Sequence, residues 1–125
     1  MSAVKNSTAA VAAPAPAPSS EASDLQASET VFSAAAELFA LLSTPIRLRI
    51  LSALCSGERN VSQLLTQIET TQPNMSQHLS SLYRAGVLGK RREGTQIYYR
   101  IEDERAASLC RAVCTQIAMD LDEAA

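Results

Sequence analysis

Apolar positions recur with helical spacing over most of the chain beyond residue 30. The pattern predicts a first helix that starts near Thr30 and has one apolar face, formed by Val31, Ala34, Ala35, Leu38, Leu41 and Leu42. A second helix is expected to begin at Thr44-Pro45, a capping residue followed by proline at the first helical position, and to stop at Gly57.

Two shorter helices are predicted next, separated by a turn. Asn60 is expected to cap the segment VSQLLTQI, and the residues ETT form the turn. Thr71 then caps a helix that has Pro73 in its first turn and runs to Gly86. Two short helices joined by a tight turn predict a helix-turn-helix, whose second helix enters the major groove of DNA.

The hydrophobic period changes to two after Gly86. In VLGKRREGTQIYYRI, Glu93-Gly94 separates two runs, and the second run alternates Ile97, Tyr99 and Ile101, so a β-hairpin is predicted. Asp103 is expected to cap a last helix with a broad apolar face, formed by Ala106, Leu109, Cys110, Val113, Cys114, Ile117 and Leu121. The order of elements predicts a mainly α fold with a β-hairpin wing, a winged helix-turn-helix.

The N-terminal residues have a different composition. Residues 1–28 are mostly Ala, Pro and Ser, and they cannot bury enough apolar surface to offset the entropy lost on ordering. We therefore expect a disordered tail over 1–28 and one domain over 29–125. The segment AAVAAPAPAP is too short and too proline-rich for a signal peptide, and nothing approaches the roughly 20 apolar residues of a membrane span. A cytoplasmic protein without a membrane partner is expected.

Charge is distributed unevenly, although the net charge is only −2. Residues 44–100 carry eight Lys or Arg and three acids, a net charge of +5, whereas the rest of the chain carries −7. A basic middle segment indicates contact with a polyanion such as double-stranded DNA, and an ordinary solvated surface is the alternative interpretation of the charge pattern. A winged helix that binds only protein is the alternative from another functional class.

The predicted DNA contacts fall on two elements. The recognition helix carries hydrogen-bonding side chains that can face base edges: Gln72, Asn74, Ser76, Gln77 and His78. On the same helix, Met75, Leu79 and Leu82 are expected to turn toward the core. The tip of the hairpin is expected to carry Lys90, Arg91 and Arg92, which suit phosphates or the minor groove.

Four segments resemble the ArsR/SmtB family of winged-helix repressors: LLSTPIRLRILSAL, VSQLL, TTQPNMSQHLSSLYRAGVL and KRREGTQIYYRI. The resemblance covers about residues 30 to 120. It implies a homodimer that forms mainly through the first and last helices and binds an inverted-repeat operator until an inducer is sensed. Zinc-type members place Asp, His and Glu ligands on the last helix, whereas the single histidine here, His78, falls at the family's recognition-helix position. The resemblance therefore implies no such metal site and no cofactor.

The persulfide-sensing branch of the family, of SqrR/BigR type, is similar in GERNVSQL, KRREGTQIYY and ERAA. The branch has one thiol on the second helix and its partner on the last helix. Those positions are occupied here by Ser52 and Ala118, with Cys55 one turn later and Cys114 one turn earlier. If the two helices cross antiparallel, opposite shifts keep the thiols facing each other. Sulfur metabolism is the cellular context that this branch implies.

The three cysteines are the candidate inducer-sensing residues. Cys55 shares a helical side with Leu48 and Leu51, so it is expected to point inward. Cys110 and Cys114 are i, i+4 neighbours with Cβ atoms roughly 5–6 Å apart, whereas a disulfide needs roughly 3.8 Å. One or two added sulfur atoms could bridge this gap, and so could trivalent arsenic or antimony.

Three uses of these cysteines stay open. Cys55 with Cys114 or Cys110 could sense sulfane sulfur or oxidants, with Arg111 and Arg105 supplying the positive charge that activates thiols. All three cysteines could hold arsenite or antimonite as thiolate ligands. Alternatively they are buried packing residues, since cysteine is often buried. An enzyme is not expected, because the chain has no glycine-rich phosphate loop and its single histidine lies on the recognition helix.

Overall fold

The computed structural model describes residues 18–124, with side chains from residue 28 onward. The chain divides into two units after Ala36. Helix α1 (Pro18–Leu41) begins inside the segment predicted as a tail. Residues 18–28 include two Ala and one each of Glu, Leu and Gln among four serines. These five residues favour helix by intrinsic propensity without any apolar period, and proline is tolerated at a first helical position. The tail before Pro18 lies outside the described residues.

The helices of the second unit begin at the predicted capping residues. The Thr44 hydroxyl accepts a hydrogen bond from the Arg47 amide at 3.1 Å and caps α2 (Pro45–Leu54). Asn60 caps α3 (Val61–Gln67) through a reciprocal capping box with Gln63, with both hydrogen bonds at 2.8 Å. Thr71 caps α4 (Gln72–Arg84), and Asp103 accepts from the Arg105 amide at the start of α5 (Glu104–Ala124). All four predicted caps are confirmed.

The wing is a three-stranded antiparallel sheet. Strands β2 (Leu88–Glu93) and β3 (Gln96–Ile101) form the predicted hairpin, and β1 (Arg59–Asn60) pairs with the other side of β3. The register pairs Glu93 with Gln96, so the loop is Gly94-Thr95 and lies one residue later than predicted. Gly94 has φ +65°, as the first position of a type II′ turn requires. Strand β1 escapes sequence prediction because two residues are too few to show an alternation.

The core of the second unit fixes the position of the helix-turn-helix. Its largest fully buried side chains come from α2, α3, α4 and the residues at the start of β2: Ile50, Leu51, Leu64, Met75, Leu79, Leu82, Val87 and Leu88. The fold is the predicted winged helix-turn-helix. Leu38 and Leu41 pack partly against this core as expected, whereas Val31, in the first unit, is 63% exposed. No single helix among the described residues is long and apolar enough to cross a membrane.

Candidate functional site

Helix α4 exposes its polar side while its apolar side is buried. Met75, Leu79 and Leu82 are fully buried. Four of the predicted base-contacting residues are exposed, namely Gln72, Asn74, Ser76 and Gln77. The Asn74 side-chain amide also donates to the Thr70 hydroxyl at 2.8 Å, which orders the N-terminal end of the helix. This polar side can be inserted into a major groove without unpacking the core.

His78 is the fifth predicted contact, and it lies between the two sides of α4. Its ring is half-buried, and Nδ1 accepts a hydrogen bond from the Nε–H of Arg47 at 3.0 Å. Burial lowers the pKa of the His78 imidazole below its usual value, and the positive charge of Arg47 lowers it further. His78 is therefore neutral at pH 7.

The three basic residues of the wing differ in their surroundings. Lys90, Arg91 and Arg92 are all exposed, and they lie along β2 before the Gly94-Thr95 loop, not at the tip of the hairpin as predicted. The ammonium group of Lys90 lies 4.3 Å from the centroid of the Tyr83 ring, a cation–π contact that leaves its charge unpaired. Arg92 has no ion pair within the described part of the chain.

Arg91 is held by two carboxylates. Its guanidinium donates to Glu58 at 2.9 and 3.1 Å from Nε and to Glu93 at 2.8 Å from Nη1. The hydrogen bond from Arg91 keeps the pKa of Glu58 below its usual value, so this carboxylate stays charged at neutral pH. The charge of Arg91 is thus largely compensated by protein groups, which sequence alone does not reveal because Glu58 is 33 residues away.

Two of the three thiols lie in contact. The Sγ atoms of Cys110 and Cys114 are 3.9 Å apart, and the Cys110 thiol donates to the Leu48 carbonyl of α2 at 3.6 Å. Both cysteines line an apolar cavity of about 280 Å³, together with Phe39, Leu42, Ser43, Leu48, Leu109 and Val113. The thiol pair therefore joins α5 to α2 beside a space that a small apolar molecule can enter.

The two thiols of this pair differ in environment. Cys110 is buried and Cys114 is exposed. Burial raises the pKa of Cys110 to about 11, with further contributions from the neighbouring Cys114 and Cys55, whereas Arg111 opposes the shift. Because a thiolate is the nucleophile in thiol chemistry, Cys110 is poorly suited to attack first, and Cys114 is the accessible member of the pair.

Cys55 is exposed, so the prediction that it points inward is wrong. Helix α2 ends at Leu54, and Cys55 is its C-cap at the edge of the core, before the chain turns at Gly57. Cys55 follows Leu48 and Leu51 at i+7 and i+4. This spacing would bury its side chain only if α2 continued past Cys55 and another element packed against that side of the helix. Instead its sulfur accepts a hydrogen bond from the Arg111 guanidinium at 3.4 Å.

The three cysteines are not gathered into a metal site. Among the described residues, no group of three or more His, Cys, Asp or Glu side chains could hold a metal ion. Arg47 and Glu58 are the residues of interest that the sequence did not single out. Both act through partners more than 30 residues away, at separations of 31 and 33, and no local pattern identifies such pairs.

Residues 44–90 match the family described as "Bacterial regulatory protein, arsR family". Over 85 residues the chain is 40% identical to the "Biofilm growth-associated repressor" of Xylella fastidiosa strain Temecula1, an alignment that covers 65% of this chain and 75% of that protein. The crystal structure of the transcriptional repressor BigR from Xylella fastidiosa superposes with a TM-score of 0.67 at 37% identity, covering 72% of this chain and 92% of that one. A homodimeric winged helix-turn-helix DNA-binding domain from Mycobacterium bovis superposes with a TM-score of 0.66 at 31% identity, covering 77% and 89%.

Proposed function

The chain belongs to the ArsR family of bacterial regulatory proteins, and we propose that it is a DNA-binding transcriptional repressor controlled by its thiols. Reaction of these thiols with sulfane sulfur or an oxidant releases the operator. The observation that carries the proposal is the contact between Cys110 and Cys114, 3.9 Å apart beside an apolar cavity and hydrogen-bonded to α2.

Operator binding uses α4 and the wing. The exposed polar side of α4 enters the major groove, where Gln72, Asn74 and Gln77 have the donors and acceptors needed to distinguish base edges. Lys90 and Arg92 on β2 contact the phosphate backbone beside it. His78 completes the set of contacts from the flank of α4.

The repressor acts as a homodimer on an inverted repeat. Val113, Ile117 and Leu121 follow each other at i, i+4 spacing along α5, and they are 48%, 51% and 67% exposed. Such an apolar stripe on a small chain supports burial against a second copy. A two-fold dimer places its two α4 helices at a fixed distance, which an inverted repeat matches by its half-site spacing.

The thiol chemistry starts at an exposed sulfur and ends in a bridge. Polysulfide transfers one sulfur atom to the exposed Cys114 first and then one to Cys110, which gives two persulfides and a polysulfide shortened by one sulfur for each transfer. One persulfide anion then attacks the inner sulfur of the other, which forms a trisulfide and releases hydrogen sulfide. The Sγ atoms lie 3.9 Å apart. Two S–S bonds of about 2.05 Å meet at a bent central sulfur, so they span less than their summed length of about 4.1 Å. One inserted sulfur atom therefore requires the two Sγ atoms to move closer together, and a second inserted atom lengthens the bridge.

Bridging acts on DNA binding through α2. The Cys110 thiol gives up its hydrogen when it is bridged, so its hydrogen bond to the Leu48 carbonyl is lost. Helix α2 packs against α4 in the same core, and the carbonyl that loses its donor lies within α2. Without this contact to α5, α2 is displaced, and the α4 helix packed against it moves as well. The distance between the two recognition helices of the dimer then changes, and operator affinity falls because half-site spacing is a geometric requirement.

The test is a gel shift on the DNA upstream of the chain's own gene, with reductant, polysulfide and arsenite in separate lanes and the intact mass measured in parallel. We expect release by polysulfide, with a mass gain of whole sulfur atoms less two hydrogens. Cys110→Ser and Cys114→Ser should bind DNA and resist release.

Cys55→Ser is the matched control for the bridged pair. If Cys55→Ser abolishes release while Cys114→Ser does not, the bridge joins α2 to α5 and the pair proposed here is wrong. Release by arsenite alone would indicate a metalloid sensor. Absence of DNA binding in every lane would favour a winged helix that binds protein.

A further inference from the structure

Arg47 connects the recognition helix to two other parts of the second unit. From α2 its Nη1–H donates to the Leu41 carbonyl at the end of α1 at 2.9 Å. Its Nε–H donates to Nδ1 of His78, in the middle of α4, at 3.0 Å. Because both hydrogen bonds come from one planar guanidinium, the position of Arg47 is set from two sides.

The direction of the hydrogen bond determines where the imidazole carries its proton. Arginine has only donors, so Nδ1 of His78 must offer a lone pair. A neutral imidazole with an unprotonated Nδ1 carries its hydrogen on Nε2. Protonation of Nδ1 would remove this hydrogen bond and place two positive charges together. The pKa of His78 is lowered mainly by burial and further by the charge of Arg47, which agrees with this geometry.

The Nε2–H of His78 is left available as a donor. Within the described part of the chain, the only hydrogen bond of the ring is the one at Nδ1. His78 lies directly after the exposed Gln77 and before the buried Leu79, at the margin of the surface that faces DNA in the proposed function. On an imidazole the two nitrogens lie on different edges of the ring, so the hydrogen on Nε2 is directed away from Arg47.

We propose that Arg47 is a positioning residue that holds His78 in its neutral Nε2–H tautomer, so that the recognition helix presents this donor to a hydrogen-bond acceptor on operator DNA. The tautomer of His78 follows from the geometry of the protein alone, whereas its contact with DNA rests on the proposed function. Arg47 itself does not touch DNA in this scheme, and its effect on affinity passes entirely through the imidazole.

The tautomer can be measured without DNA, because His78 is the chain's single histidine. Long-range proton–nitrogen NMR spectra of the full chain should show Nε2 protonated and Nδ1 unprotonated. In Arg47→Met we expect a substantial Nδ1–H population and a rise in the pKa of His78. Arg49→Met is the matched control, since Arg49 is an exposed arginine on the same helix, and it should leave the spectrum unchanged. A wild-type Nδ1–H tautomer, or identical spectra for Arg47→Met and the wild type, overturns the positioning role.

A double-mutant cycle then tests what DNA recognises. Binding of operator DNA, followed by fluorescence anisotropy, should weaken about tenfold in Arg47→Met, as expected for one lost hydrogen bond. Glutamine can place an amide N–H near the position of Nε2–H, so His78→Gln should retain most of the affinity, and Arg47→Met should have no further effect in that background.

The outcomes of the cycle separate the proposal from the proposed function. An equal loss from Arg47→Met in both backgrounds, or no loss in either, overturns the role of the imidazole donor in DNA binding. If the wild-type chain fails to bind operator DNA at all, the proposed function is wrong, while the NMR spectra still decide whether Arg47 positions His78.

Discussion

Arg91 and Arg92 are adjacent arginines on β2, and they differ in whether their positive charge is paired with carboxylates. Arg91 is hydrogen-bonded to Glu58 and Glu93, whereas Arg92 has no ion pair among residues 28–124. An arginine releases condensed counterions from DNA when its charge neutralises a phosphate, and this effect is smaller if protein carboxylates already neutralise the arginine. We therefore expect Arg92→Ala to weaken operator binding in a salt-dependent manner and Arg91→Ala to have much less effect.

The size of the effect follows from counterion release. Each phosphate contact contributes about 0.9 to the slope of log K against log salt concentration. If each subunit of the proposed dimer places Arg92 on one phosphate, Arg92→Ala lowers the magnitude of the slope by about 1.8. Between 50 and 200 mM salt, this difference corresponds to about 12-fold in the loss of affinity.

The assay is a fluorescence anisotropy titration of labelled operator DNA at a series of KCl concentrations. Arg91→Ala is the matched control, since it removes the same side chain one residue away. Glu58→Gln supplies a change in the opposite direction, because it weakens the hold on Arg91 and should steepen the slope. Equal reductions of the slope in Arg91→Ala and Arg92→Ala would refute the reasoning, since the carboxylates would then have no influence on the charge that DNA meets.

Three further predictions concern stability, reactivity and pH. Leu64→Ala should lower the free energy of unfolding in urea by about 2–5 kcal/mol, because Leu64 is fully buried; a change below the measurement error would mean that α3 contributes little to the core. Iodoacetamide at pH 8 should label the exposed Cys55 and Cys114 faster than Cys110, whose pKa is raised to about 11, and faster labelling of Cys110 by peptide mass mapping would contradict this. The lowered pKa of His78 means that the unfolded chain binds more protons, so the free energy of unfolding should fall as the pH drops below about 6.5. His78→Gln should remove that part of the pH dependence, and an unchanged profile in the variant would assign it to other groups.

The helix starts could be predicted because their signals are local. Thr44, Asn60, Thr71 and Asp103 each accept a hydrogen bond from a backbone amide two or three residues further on. A polar side chain at such a position satisfies a free amide of the first turn in any surrounding. The prediction for the start of α1 was wrong, because intrinsic helix propensity extends the helix beyond the segment with an apolar period.

The candidate site was predicted in part. The exposed polar face of α4 follows from helical periodicity, since Met75, Leu79 and Leu82 mark the buried side. The contact between Cys110 and Cys114 follows from their i, i+4 spacing. The inward orientation of Cys55 failed, because burial at the last residue of a helix depends on which element packs there.

The order of helices and hairpin, the capping residues and the side of α4 that faces the core could be read from the sequence. These features depend on residues within one helical turn or one strand alternation of each other. The tertiary structure is needed to see that Arg47 meets His78 and that Glu58 holds Arg91, while Arg92 has no ion pair in the part of the chain that the structure describes. Hydrogen bonds between distant elements need their atoms within about 3 Å, and that distance is set by how the helices and strands cross in the packed core.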